Sequence, residues 1–443
     1  MFSNKDLRKL IIPLVIEQLL AVTIGMADTV MVSSCGEAAV SGISLVDSIN
    51  FLLITLFSSL ATGGAVIASQ YIGRGDHKSA SLAAKQLFYA SLALSAVLGV
   101  IAVFFRKPVL NMVFGSIEAD VMAHAQIYFL LSAISYPFLA VYNAGAALFR
   151  SMGDSRTTML NSILMNTINI VGNAILIYGF QMAAAGAATA SLVSRAVGAI
   201  IITVLLLNPR RIIFYDKLHK PEIHLSMLKS ILQIGVPNGL ENSIFQIGKI
   251  LVASIVSGFG TISITANAVA GNLASLQVIP GMALGMAMIT VVGQCIGAKD
   301  YEAVKKYTKK LMLITYGVVW AMTLLMLLFS KQILSFYSLS EETTTMTMEV
   351  FIVHGICAVI VWPLAFALPN ALRAANDVRF TMIVSLLSMW IFRIGFSYIL
   401  AIYFNMGILG TWIAMCIDWF CRGACFVIRF ARGKWKNISF IDN

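Results

Sequence analysis

Charge is scarce in this sequence. Asp, Glu, Lys and Arg together make up 12% of its 443 residues, where a soluble domain carries about 25%. That shortage excludes a disordered chain, a nucleic-acid-binding domain and an ordinary cytosolic enzyme. Cysteine is also sparse. There are six, five of them in apolar runs where a free thiol acts as a small hydrophobe. Cys421 and Cys425 are one helical turn apart, but no Cys/His cluster completes a metal site. No glycine-rich segment is followed by the lysine of a phosphate loop, so an ATP-driven pump is not expected. The ~10-residue alternating segments of a membrane barrel are missing. No cleaved leader is expected either. The first apolar run follows a charged capping stretch, Ser3-Asn4-Lys5-Asp6, and no Ala-x-Ala-like site comes after it.

What is present is apolar. Hydrophobic residues reach 59%, which describes an all-α polytopic membrane protein. At about 20 residues per span, the length accommodates about twelve transmembrane helices. Charge-free windows mark them at Ser48–Ile72, Gln86–Phe105, Ala125–Phe149, Leu311–Ser330 and Val350–Leu372. Two longer windows each hold a helix pair. Thr157–Ser194 breaks at Gly179–Gly186, and Ile250–Ala298 breaks at Ser257–Asn267. The remaining spans, near 10–33, 186–207, 231–256, 381–404 and 408–428, carry buried charges. With the N-terminus inside, 24 of the 31 Lys and Arg residues fall on cytoplasmic segments, three outside and four within spans. This bias predicts that both termini are cytoplasmic. The basic surplus then reports topology and contact with anionic lipid rather than nucleic acid.

The chain repeats itself. Pro13 and Pro237, Glu17 and Glu241, and the motifs Gln70–Asp76 and Gln294–Asp300 are each separated by 224 residues. Phe149-Arg150-x-x-x-Asp154-x-Arg156-x-Thr158-Met159 recurs at Leu372-Arg373-x-x-x-Asp377-x-Arg379-x-Thr381-Met382. Six helices per copy is an even number, so the two copies are parallel repeats about an axis along the membrane normal. The expected domains are an N-terminal lobe over residues 1–207, a basic cytoplasmic linker over 208–229, a C-terminal lobe over 230–430 and a tail over 431–443. Duplicated six-helix halves are the plan of alternating-access transporters.

Ionisable groups at bilayer depth cost about 2.5–3.5 kcal/mol each, so each needs a reason. Asp28 lies in the outer half of the first span. Asn166, Asn169 and Asn173 form a polar stripe on the fifth span and reach a similar depth. A carboxyl group among amides and little water makes a proton-binding site or an oxygen-rich cation site. Glu17 and Glu241 each follow a proline by four residues and sit beside expected helix bends. They read as functional carboxylates or as helix-to-helix hydrogen bonds near the cytoplasmic side. Arg393 and Asp418 reach similar depth on the last two spans, with Arg422 one turn from Asp418. Arg195 and Lys249 have no sequence partner. They line a cavity or snorkel to the interface. His354 reads as a packed histidine. Met26, Met31, Met282, Met286 and Met288 are candidates for a plastic apolar pocket.

With these residues in place, the sequence resembles the multidrug and toxic compound extrusion (MATE) family. The resemblance rests on Ile12-Pro13, Glu17-Gln18, Met26-Ala27-Asp28-Thr29-Val30-Met31-Val32, Gln70–Asp76, Phe149–Asp154, Asn169–Asn173, Ile177-Tyr178-Gly179 and the second-half copies. It covers essentially the whole chain. It implies two six-helix lobes and antiport of organic, often cationic, amphipathic compounds out of the cell against H⁺ or Na⁺. Asp28 matches the first-helix aspartate that binds the coupling ion, and Asn169 matches its fifth-helix partner. Asn173 stands where some members have a second aspartate. The sodium-coupled NorM pattern has a glutamate where this chain has Phe245, and an acidic tenth helix where Val350–Leu372 has none. Glu241 would replace part of that site. The chain is therefore closer to the DinF-like branch.

The resulting expectation is a bacterial plasma-membrane exporter that works as a monomer, with organic small molecules and the lipid bilayer as its partners. It is not an enzyme. Asp28, Asn169, Asn173 and Glu241 couple the ion. Glu17, Arg195, Arg393 and Asp418 line or gate the cavity. No cofactor is expected beyond H⁺ or Na⁺, and no metal beyond Na⁺ at Asp28. The alternative is a lipid-linked-oligosaccharide flippase of the same superfamily, with Arg195, Arg393 and Lys249 holding pyrophosphate.

Overall fold

The computed structural model describes residues 2–115, 118–216, 218, 220, 222–337 and 339–441, without the side chains of Ile24, Met26, Ala27 and Thr29. Met26, one of the pocket candidates, therefore lies outside the described side chains. The described chain is helical, with no strand among these residues. Among the described residues, eleven helices are long and apolar enough to cross a membrane. The first helix, α1 (Asn4–Ser33), is the twelfth by its length and sequence.

The others in the first half are α2 (Glu37–Arg74), α3 (His77–Phe114), α4 (Ala119–Ser151), α5 (Ser155–Gly179) and α6 (Ala183–Leu206). The second half has α7 (Leu225–Ser257), α8 (Thr261–Gly297), α9 (Tyr301–Leu328), α10 (Glu341–Ile360), α11 (Val378–Tyr403) and α12 (Gly407–Ala431). The charge-free windows find these helices but shorten them. At 1.5 Å per residue α2 is about 57 Å long, because it continues through charged residues at both ends. The window Val350–Leu372 is not one regular helix. α10 gives way to a π-helical turn over Pro363–Ala367 and a short helix, Leu368–Ala374. Pro363 and Pro369 lack the N–H groups that a continuous α-helix needs.

The duplication is visible in the backbone. Asp76 caps α3 by accepting from the Ser79 amide at 3.0 Å, and Asp300 caps α9 by accepting from the Ala303 amide at 2.9 Å. A left-handed residue precedes each cap, Gly75 in the first copy and Lys299 in the second. The turn into α6 has positive φ at Gln181 and Ala183, and the turn into α12 has it at Asn405 and Gly407, 224 residues on. The Asp76 carboxyl group is held below its ordinary pKa because it accepts from Ser79, as an N-cap aspartate should.

The chain divides into two compact units, Phe2–Gly239 and Leu240–Asn443. In the first, α4 is central and packs on α2, α3 and α6. Val46, Phe57, Phe129, Ala133 and Tyr136 form its core. The segment after α6 is docked onto this unit. Gln86 Nε2 donates to the Glu222 carbonyl at 2.7 Å, Arg211 pairs with Asp154 at 2.9 Å, and Tyr215 is buried. In the second, α8 and α12 surround a core of Trp362, Trp412, Trp419, Ala266 and Val361.

Close helix approach relies on missing side chains. A Cβ at Gly63 on α2 would lie 2.5 Å from the Ile231 carbonyl oxygen and 2.9 Å from the Gly235 nitrogen on α7. Both are backbone atoms and cannot swing aside. Gly63→Ala is therefore expected to lower stability by about 1–3 kcal/mol. A thermal unfolding scan in detergent would show it as a lower midpoint.

Candidate functional site

Asp28 on α1 is held by two asparagines from α5. Asn173 Nδ2 donates to its Oδ1 at 2.6 Å. The Asn169 amide, with its nitrogen towards the carboxylate, donates to Oδ1 at 2.7 Å and Oδ2 at 3.2 Å, and its oxygen accepts from Ser191 on α6 at 3.1 Å. Positions 169 and 173 are one turn apart, so α5 presents both amides together. Asn166 does not join them; it donates to Ser162 at 3.3 Å.

A second carboxylate belongs to this region. Asp47, ten residues into α2, accepts from Tyr128 Oη at 3.0 Å and from Asn50 Nδ2 at 3.2 Å. Tyr136 donates to the Asn50 oxygen at 2.8 Å, which orients the amide. Asp47 keeps accessible surface despite these contacts. Asp28, Asp47 and Arg195 are within electrostatic reach of one another. Arg195 itself donates to Ser135 at 2.7 Å. Two carboxylates and one guanidinium leave this group one negative charge, which a single H⁺ or Na⁺ neutralises. The sequence reading missed Asp47 because the charge-free window starts at Ser48 and leaves Asp47 on its edge.

The proline-adjacent glutamates are placed differently. Glu17 accepts from Thr158 at 2.8 Å and from Arg150 at 3.4 Å. Glu241 accepts from Arg373 at 2.7 Å. Glu17 and Glu241 are repeat equivalents, and so are Arg150 and Arg373, so both halves carry the same ion pair. Each pair is largely buried and ties two helices of its own unit. This is the helix-to-helix bonding anticipated as one of their two readings. Just before α5 and α11, Asp154 and Asp377 make further acid–arginine pairs, with Arg211 and Arg429.

In the second unit Asp418 is fully buried. Arg422 Nη2 donates to its two oxygens at 2.9 and 3.1 Å, and Ser388 donates at 2.5 Å. Arg393 stands 3.9 Å from Asp418, beyond hydrogen-bond range. It lies on a π-helical turn of α11, Met389–Gly395. His354 is packed as expected, 2.8 Å from Gln277 and edge-on to Trp412 and Trp419. Met288 is in the core, whereas Met282 is exposed and Met31 and Met286 are half-buried.

Twelve helices in two repeated halves, with acids and amides at bilayer depth, make the frame of a secondary transporter. The chain belongs to the MatE family. The family model matches it twice, over residues 13–175 and 237–399, at the 224-residue offset of the internal repeat. It is 26% identical over 429 residues to "Uncharacterized transporter YisQ" of Bacillus subtilis, covering 96% of this chain and 93% of that one. It is also 26% identical over 442 residues to "Probable multidrug resistance protein NorM" of Thermotoga maritima, covering 98% and 93%. A structure described as "Outward-facing conformation of a multidrug resistance MATE family transporter of the MOP superfamily" superposes with a TM-score of 0.89 at 20% identity, covering 98% and 97%. One described as "Crystal structure of MATE in complex with MaD5" gives 0.90 at 20% identity, covering 98% and 97%. These two share the fold.

Proposed function

We propose that this protein exports amphipathic organic compounds, cationic ones among them, by antiport with H⁺, or with Na⁺ at the same site. It would work as a monomer in a bacterial plasma membrane, with both termini cytoplasmic as the lysine and arginine bias favours. The coupling ion binds at Asp28, as in the DinF-like branch.

One observation carries this reading. Glu17, Glu241 and Asp418 each have an arginine partner. Among the described residues, Asp28 and Asp47 have only neutral donors in hydrogen-bond contact, and of the two it is Asp28 that is held by the paired asparagine amides of α5. A carboxylate is costly inside a span and needs a functional reason, and binding the coupling ion supplies one. Asp47 and Arg195 set the charge of its surroundings. In the cycle, Asp28 takes up H⁺ or Na⁺ from outside, the first-unit site rearranges, and bound compound leaves. The ion is then released to the cytoplasm as new compound enters.

The test uses purified protein in liposomes loaded with a fluorescent cationic dye. A pH gradient and a Na⁺ gradient are imposed separately. Dye movement under one gradient supports antiport and names the ion. No movement under either, in folded protein, contradicts it.

A further inference from the structure

We propose that the second unit contains an anion-binding site formed by Lys249, Arg393 and Arg422, which takes a carboxylate or phosphate monoanion carried by an aromatic amphiphile. The argument is a charge count within one unit. These three cations lie on α7, α11 and α12, inside the spans. Lys249 and Arg393 are close enough to repel one another, as are Arg393 and Arg422. Against them stands one carboxylate, Asp418, and its oxygens are already taken by Arg422 and Ser388. Glu241, two turns before Lys249 on α7, is taken by Arg373. No further acid joins the group among the described residues.

Two features show that the surplus is aimed at a ligand. The Nε atoms of Arg393 and Arg422 are buried and without partners. Lys249 has neither hydrogen-bond nor ion-pair partner among the described residues, and it is accessible although protein crowds it. A packed structural ion pair needs none of this, and it is costly at bilayer depth. The surroundings suit a flat apolar body. Arg393 and Arg422 each lie 5.4 Å from the Phe245 ring centre, and Arg422 lies 5.0 Å from that of Phe366. Phe245 is one turn from Lys249 on α7, so α7 presents ring and ammonium together. Both guanidiniums lie over rings; Nη2 of Arg422 holds Asp418, which leaves its Nε and the Arg393 guanidinium for an anion.

The site goes beyond the export reading and does not need it, because binding is measured at equilibrium without a gradient. The probes are rhodamine B, which carries a free carboxylate, and its ethyl ester, which does not. Their dissociation constants are measured by fluorescence anisotropy on detergent-solubilised protein. The acid should bind about tenfold more tightly than the ester, the effect of one charged hydrogen bond. Lys249→Gln should remove that preference without changing ester binding, and Lys249→Arg should restore it. Lys249→Gln breaks no ion pair, and the acid-to-ester comparison on the unmodified protein needs no variant at all. Added phosphatidylglycerol, with phosphatidylcholine as control, separates the sources of the anion. Displacement of the acid dye by phosphatidylglycerol alone assigns the site to a lipid headgroup, and its absence assigns it to a substrate carboxylate. Equal binding of acid and ester, or a Lys249→Gln loss shared equally by both, overturns the proposal.

Discussion

Asp28→Asn abolishes gradient-driven dye movement, down to the leak of protein-free liposomes, while dye binding and thermal stability persist. Asparagine is isosteric with aspartate and keeps contact with Asn169 and Asn173, whose amides can reverse. It cannot take up a proton, and it removes the formal charge that would hold Na⁺. With Asp28 neutral, Asp47 and Arg195 balance one another, and the group no longer has the single negative charge that one monovalent cation satisfies. Coupling is lost because both states of the cycle now have the same charge. A site that only packed helices would tolerate the amide and transport normally. The measurement is initial dye flux under each gradient, beside a circular-dichroism melt of the same preparation.

The second large effect falls on Asp418. Asp418→Ala leaves Arg422 and Arg393 buried side by side with no counter-charge. Removing one partner of a buried pair costs about 3–5 kcal/mol, because the other charge stays out of water. The unfolding midpoint in detergent should fall sharply, with little folded protein recovered at growth temperature. Adding Arg422→Met removes one stranded charge and should restore part of the loss, so the double variant is more stable than Asp418→Ala alone. If the losses instead add, the pair is not what Asp418 supplies. Asp28→Asn strands no arginine and should leave the midpoint nearly unchanged, which separates a coupling acid from a structural one.

The helices were legible because lipid imposes a coarse rule. A span must be apolar for about 20 residues, and charge-free windows of that length are easy to see. The breaks at Gly179–Gly186 and Ser257–Asn267 were visible through glycine and polar loop residues, and α5 and α7 end there. The asparagine stripe could be matched in depth to Asp28 by counting residues into each span, and helical periodicity put Asn169 and Asn173 on one face; their partnership with Asp28 was implied by the family resemblance. What the windows hid lies at their edges. Asp47 adjoins a long apolar run and resembles a loop residue, until α2 proves to continue ten residues further towards its N-terminus. The glutamate–arginine pairs were half visible. The repeat displayed Glu17 with Glu241 and Arg150 with Arg373, but only tertiary packing shows that the members of each set meet. The π-helical turns at Pro363–Ala367 and Met389–Gly395 were not legible, since one extra residue in a turn leaves no periodic trace in a short segment.

The most direct test of the central claim is proton exchange at equilibrium. Cationic dye is added to detergent-solubilised protein in weak buffer, and released protons are counted with a pH indicator. If H⁺ and dye compete through Asp28, about one proton should leave per dye bound, and none should leave from Asp28→Asn. A Na⁺-coupled site gives no proton release but a dye affinity that falls as Na⁺ rises, again lost in the variant. Dye binding that is indifferent to both ions, or proton release that persists in Asp28→Asn, would contradict coupling at Asp28.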